Sequence, residues 1–139
     1  MTPIFDTFKK NVLAEKDALK EVDFVINGEL QTFYCKEMTG LDFQKIKTRS
    51  ILKKRETTID GSVNETEYLD DAELRANIIL EMARDADGKR LFSLTNPEHK
   101  DLVKSIKFTT QSYLAYEMGL QPERDMIEIQ REKLKKMRG

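Results

Sequence analysis

Asp23-Phe24-Val25-Ile26-Asn27-Gly28-Glu29-Leu30-Gln31-Thr32-Phe33-Tyr34-Cys35 is the stretch from which the rest of the chain is read. Asn-Gly is the preferred pair for a two-residue type I′ turn, because both central positions need φ > 0. It stands between two runs of β-branched and aromatic residues. If Ile26 pairs with Glu29, then Phe24 opposes Gln31 and Val22 opposes Phe33. One face of the hairpin carries Val22, Phe24, Ile26, Phe33 and Cys35; the other carries Asp23, Val25, Leu30, Thr32 and Tyr34. The first face is the greasier and needs a cover of helices, since a lone hairpin is marginal in water.

Outward from this hairpin, placed at about residues 22–35, the pattern turns helical. Thr39 and Asp42 form an N-cap signature, with Met38 and Phe43 set as a hydrophobic staple. They open a helix expected over 41–54, with Phe43, Ile46 and Ile51 as its apolar stripe and a basic face from Lys45 to Arg55. Residues 56–69 are polar and broken by Asp60-Gly61. A mobile loop is the preferred reading there, over a small hairpin of 57–59 against 62–63. Asp70 and Glu73 cap a helix expected over 71–84, whose Leu74, Ile78, Ile79 and Met82 belong in the centre of the core. Asp85-Ala86-Asp87-Gly88 ends it in a turn with a solvated acidic tip.

Asn96-Pro97 starts a helix expected over 97–118, asparagine as cap and proline in the first turn. Gly119 stops it, and Pro122 restarts the chain as a last helix at about 123–138. At the other end, Thr2-Pro3 caps a short helix with Phe5, Phe8 and Val12 at helical spacing. The predicted fold class is α+β, mainly α with a small antiparallel β-hairpin. Residues 1–120 form a single compact helical domain, and 121–139 a C-terminal helical extension.

Composition removes most kinds of chemistry. Of 139 residues 35% are charged, but 24 Lys and Arg face 25 Asp and Glu, so a broad basic nucleic-acid surface is not expected. No apolar run approaches about 18 residues, so no membrane span is expected, and Met1–Lys10 lacks the apolar segment of a signal peptide. One cysteine (Cys35) permits no intrachain disulfide, which suits a cytosolic protein. Cys35 and the single histidine, His99, have no third group to orient them as nucleophile and base. Asp85–Gly88 fails the spacing of a calcium loop. No catalytic, cofactor-binding or metal-binding residue is therefore expected, and the chain reads as a non-enzyme. The positions hard to bury in one small core are the candidates for partner contact. They are Met126, Ile127, Ile129, Leu134 and Met137 on the last helix, and Val25, Leu30 and Tyr34 on the second face of the hairpin.

The order of elements resembles the tail assembly chaperones of long-tailed, siphovirus-type bacteriophages. An Asn-Gly hairpin leads into Met38-Thr39-Gly40-Leu41-Asp42. A capped helix then runs into Asp85-Ala86-Asp87-Gly88-Lys89-Arg90-Leu91-Phe92-Ser93, and a further helix follows Asn96-Pro97. The resemblance spans roughly 23–120. Ser93-Leu94-Thr95 depart from it, where the family often has acidic residues. It implies a non-enzymatic chaperone in the host cytoplasm, not retained in the mature virion. Such a chaperone binds the tape measure protein, keeps it soluble and promotes tail tube assembly around it. It also implies contact with the tail tube (major tail) protein through a longer product made by ribosomal frameshift, with Lys135-Lys136 where such a slip would fall. The alternatives are a structural tail-completion or connector subunit, and a small nucleic-acid-binding regulator using Lys45 to Arg55.

Overall fold

A computed structural model describes residues 2–120 and 123–138, the first four residues of the second segment by backbone alone. In chain order the elements are α1 (Pro3–Asp17), β1 (Leu19–Ile26), β2 (Glu29–Lys36), α2 (Gly40–Arg49), β3 (Ile51–Thr57), β4 (Val63–Leu69), α3 (Asp71–Met82), β5 (Ala83–Arg84), α4 (Pro97–Lys104), α5 (Phe108–Glu117) and α6 (Glu123–Arg138). Two antiparallel sheets are present among the described residues, one ordered β1-β2-β5 and one made of β3 and β4. The expectation of a mainly α fold with one small hairpin is thus overturned: among the described residues the α+β chain carries five strands in two antiparallel sheets.

The first hairpin has the expected register, Ile26 with Glu29, Phe24 with Gln31 and Val22 with Phe33. Asn27 and Gly28 sit at φ 52° and 75°, as a type I′ turn requires. Val22, Phe24 and Cys35 are buried beneath the helices, and the ring of Phe33 meets Phe24 edge-on at 4.7 Å. The strands are longer than the expected 22–35, because Lys20 pairs with Cys35 and Leu19 with Lys36.

α3 is the axis of the core. Its Asp70 N-cap accepts from the Glu73 N–H, and from Glu73 to Met82 every residue but Arg75 is buried. It packs against α2, α4 and α5, while α5 also lies on β1. The helix ends at Met82, not 84. Ala83 and Arg84 turn extended and pair with Cys35 and Tyr34, giving β2 a second neighbour.

Three further boundaries differ from expectation, each for a reason the hydrogen bonds show. The helix expected over 41–54 stops at Arg49. Ser50 bonds back into the last turn, its hydroxyl donating to the Ile46 carbonyl at 2.7 Å, and its own carbonyl accepts from the Asp70 N–H. Residues 51–57 then leave as a strand whose partner is the segment expected to be a loop, with Lys53 opposite Glu67 and Arg55 opposite Glu65. The hairpin closes through Thr58 to Ser62, with Gly61 at φ 85° in the left-handed region its three-residue loop needs. The helix expected over 97–118 is two helices. Ser105 ends α4 by donating to the Asp101 carbonyl, and the Gln111 side chain donates to the Val103 carbonyl at 3.0 Å, standing in for the continued helix.

Candidate interaction surfaces

α3 carries polar residues at positions 73, 77 and 81, one helical turn apart on one stripe, and all three are buried. Each is met by a different element. Lys100 of α4 approaches the Glu73 carboxylate to 2.6 Å, and Lys104 pairs with its other oxygen. Burial pushes the Glu73 carboxyl up, but the bonds from Lys100 and Lys104 outweigh it and hold it below its ordinary value. Asn77 donates to the Ser50 hydroxyl at 3.0 Å, tying the end of α2 to α3. Glu81 accepts a bidentate pair from Arg90, both bonds 3.0 Å, and a third from Arg49 at 2.9 Å. The Arg90 bond leads, against burial and with help from Arg49, in lowering the Glu81 carboxyl to about 2. A shallow groove of about 480 Å³ opens over this ion cluster, with Lys45 and Leu94 on its rim.

Away from the core the molecule presents uncovered apolar side chains. α1 has no buried residue, and Ile4, Phe5, Phe8 and Val12 recur at helical spacing along it, Phe8 63% exposed. On the outer face of the first hairpin Val25 and Leu30 are exposed, Leu30 to 72%, while Tyr34 is half-buried. Val25 also borders a shallow groove of about 290 Å³ between β1 and α5, shared with Tyr113. On α6, Ile127, Ile129, Leu134 and Met137 are exposed, Met137 to 86%. The Met126 side chain lies outside the described residues. The eight candidate contact residues therefore fall on the first hairpin (β1 and β2) and on α6, and α1 adds a third apolar face. Its Phe5, Phe8 and Val12 were visible in the sequence as helix-forming; that no described residue covers them is a property of the fold.

The basic stretch Lys45 to Arg55 does not form one face, because it divides between α2 and β3. Arg49 is taken by Glu81, Lys53 lies 3.8 Å from Glu65, and Lys54 lies 3.0 Å from Glu56. His99 accepts from the Ser93 N–H through Nδ1 at 2.7 Å and stacks edge-on to Phe92. Cys35 is buried, and burial pushes its thiol up. At the turn after β5, Asp85 accepts from the Asp87 and Lys89 N–H groups, so its carboxylate is spent on the loop itself. Among the described residues no group of three or more His, Cys, Asp or Glu is placed to hold a metal ion, and no helix is long and apolar enough to cross a membrane.

Comparison of the chain with protein-family models, with curated proteins and with solved structures gives no match.

Proposed function

We propose that this chain is an assembly chaperone of the phage-tail kind, which holds the tape measure protein through apolar faces that its own core leaves uncovered. The observation that carries the reading is the separation of the molecule into a completed core and apolar elements with no covering partner among the described residues. α3, the first hairpin's inner face and the inner sides of α2, α4 and α5 satisfy one another. α1 and the described side chains of α6 lie outside that core, with aromatic and aliphatic residues in the open. A long amphipathic client helix offers what such faces lack, an apolar stripe of matching period. The dense mixed charge around them, six cations and four anions on α6, favours a complex that stays dispersed. The commitment of Arg49, Lys53 and Lys54 to carboxylates supports a protein client over a nucleic acid.

The test is co-expression of the tape measure protein with the full chain, with a chain truncated after Leu120, and with a chain carrying Phe5→Ser, Phe8→Ser and Val12→Ser. Each altered chain is expected to recover at least several-fold less client, with its far-UV circular dichroism reduced only by the helix removed or frayed. Full recovery with both altered chains rejects α1 and α6 as the docking elements.

A further inference from the structure

The β3–β4 hairpin is a two-stranded sheet in which every strand residue is exposed on both faces. Such a sheet is marginal by itself in water; a third strand is what gives it independent stability. Its hydrogen-bond phase can be read directly. Asp70 donates to the Ser50 carbonyl and Thr58 to the Ser62 carbonyl, so 50 with 70 and 58 with 62 are hydrogen-bonded pairs. Alternation along an antiparallel ladder then makes 52 with 68, 54 with 66 and 56 with 64 the inward-bonded pairs. The odd-numbered residues, Lys53 and Arg55 on β3 and Glu65 and Glu67 on β4, turn their backbone N–H and C=O groups out to the two open edges.

The charges divide along those same edges. β3 carries Lys53, Lys54 and Arg55 against one Glu56, while β4 carries Glu65 and Glu67 and no cation. The odd-numbered side chains share one face. Lys53 and Glu65 reach each other within the hairpin only at 3.8 Å and stay largely exposed. Neither Arg55 nor Glu67 has an ion-pair partner within 4.0 Å among the described residues. A contact of Lys53 with Glu67, or of Arg55 with Glu65, therefore joins an unpaired charge to a loosely paired one. We propose that the outer edge of β3 in one copy of this chain pairs with the outer edge of β4 in a second copy, repeating between molecules the register the hairpin uses within itself. Lys53 then stands opposite the second copy's Glu67, Arg55 opposite its Glu65 and Ile51 opposite its Leu69. In each pair the outward backbone groups and the opposite side chains coincide. The like-edge alternatives are disfavoured: β3 on β3 sets cations against cations, and β4 on β4 sets Glu65 and Glu67 against each other. Pairing of unlike edges is heterologous, so every copy has one edge of each kind to offer, and assembly continues until a ring closes or a filament grows.

The experiment uses the full chain in analytical ultracentrifugation at micromolar to millimolar concentration. The wild type is expected to rise above the 16.2 kDa of one chain in steps of one copy, past the dimer, and to fall back at high salt as the pairing charges are screened. Arg55→Pro removes an outward N–H and costs the hairpin none of its own ladder. It is expected to remain at one chain's mass. Mixed in equal amount with wild type, it should lower the mean assembly mass at least twofold, because its intact β4 edge joins a growing chain and ends it. A second measurement is independent of proline. Lys53→Cys and Glu67→Cys chains, bridged by a short bifunctional maleimide, should cross-link at least several-fold more when mixed than either does alone. A wild type that stays at one chain's mass throughout, an Arg55→Pro chain that assembles as the wild type does, or equal cross-linking within the Lys53→Cys chain alone overturns the proposal.

Discussion

α3 and the β3–β4 hairpin lie next to each other in the chain, joined by Asp70, and have opposite construction. From Glu73 onward α3 buries every residue but Arg75, and even its charged Glu73 and Glu81 are enclosed. The hairpin buries none of its strand residues. α3 is held by side chains that meet it from α2, α4 and α5, whereas the hairpin holds itself by its own backbone ladder and the charges across it. Stability should therefore reside in the first and be almost absent from the second. Substitutions of equal size on the two elements measure that difference.

The largest effect is expected at Ile78 and Ile79, both fully buried. Ile78→Ala leaves a cavity where α3 meets its neighbours and should cost about 3–4 kcal/mol in a urea titration. Tyr68→Ala on the hairpin, a larger truncation of an exposed side chain, should stay within about 0.5 kcal/mol. Comparable losses at the two sites would show that the hairpin is part of the core after all.

The Glu81 cluster comes next. Its carboxyl, lowered to about 2 from an ordinary value near 4.5, takes up a proton in the unfolded chain before it does in the folded one. The stability from the Arg90 and Arg49 bonds is therefore complete above pH 4.5 and is lost as pH falls toward 2, on the order of 2–3 kcal/mol across that window. Glu73, lowered in the same direction by Lys100 and Lys104, adds to the slope. Glu81→Gln should flatten the curve of stability against pH between 4.5 and 2, leaving the slope that Glu73 and Asp60, both lowered as well, still supply. An unchanged slope would place the acid sensitivity elsewhere.

What could be read from sequence follows the same division. The first hairpin was legible down to its register, because Asn27-Gly28 admits few other conformations and one face alternates apolar residues with period two. α3 was legible because its cap and its apolar content agree. The second hairpin was not, because a strand exposed on both faces has no apolar alternation, and Lys53-Lys54-Arg55 continues a basic helix face equally well. Its signal was of another kind: Lys53 and Glu67, and Arg55 and Glu65, lie symmetrically about Asp60. The break between α4 and α5 depends on a Gln111 side chain reaching a carbonyl eight residues earlier, and β5 on the open edge of β2, so neither is written in local pattern. Of the candidate contact residues, sequence placed Val25 and Leu30 correctly on an exposed face. It could not show that Phe5 and Phe8 would also stay uncovered, since that depends on where the rest of the chain does not go.

The smallest expected effect is the sharpest test of the contrast. The hydrogen bond from Asp70 to Ser50, 3.1 Å, closes the base of the second hairpin, so the chain enters and leaves it at nearly one point. Residues 51–69 can then be replaced by a two-residue Asn-Gly turn closed by the hydrogen-bonded pair of Ser50 and Asp70, without moving α2 or α3 apart. Nothing buried is removed, and Ser50 keeps its bonds to Ile46 and Asn77. The shortened chain should lose less than about 1 kcal/mol, a shift of only a few degrees in a thermal melt. Its loss of far-UV strand signal should match the excised segment alone. A fall of ten degrees or more would mean that the hairpin braces the core, and Ser50 with Asn77 would be where that support enters. A small shift accompanied by the loss of concentration-dependent mass would mean that the hairpin's backbone edges act on other copies of the chain while α3 and its neighbours keep the fold.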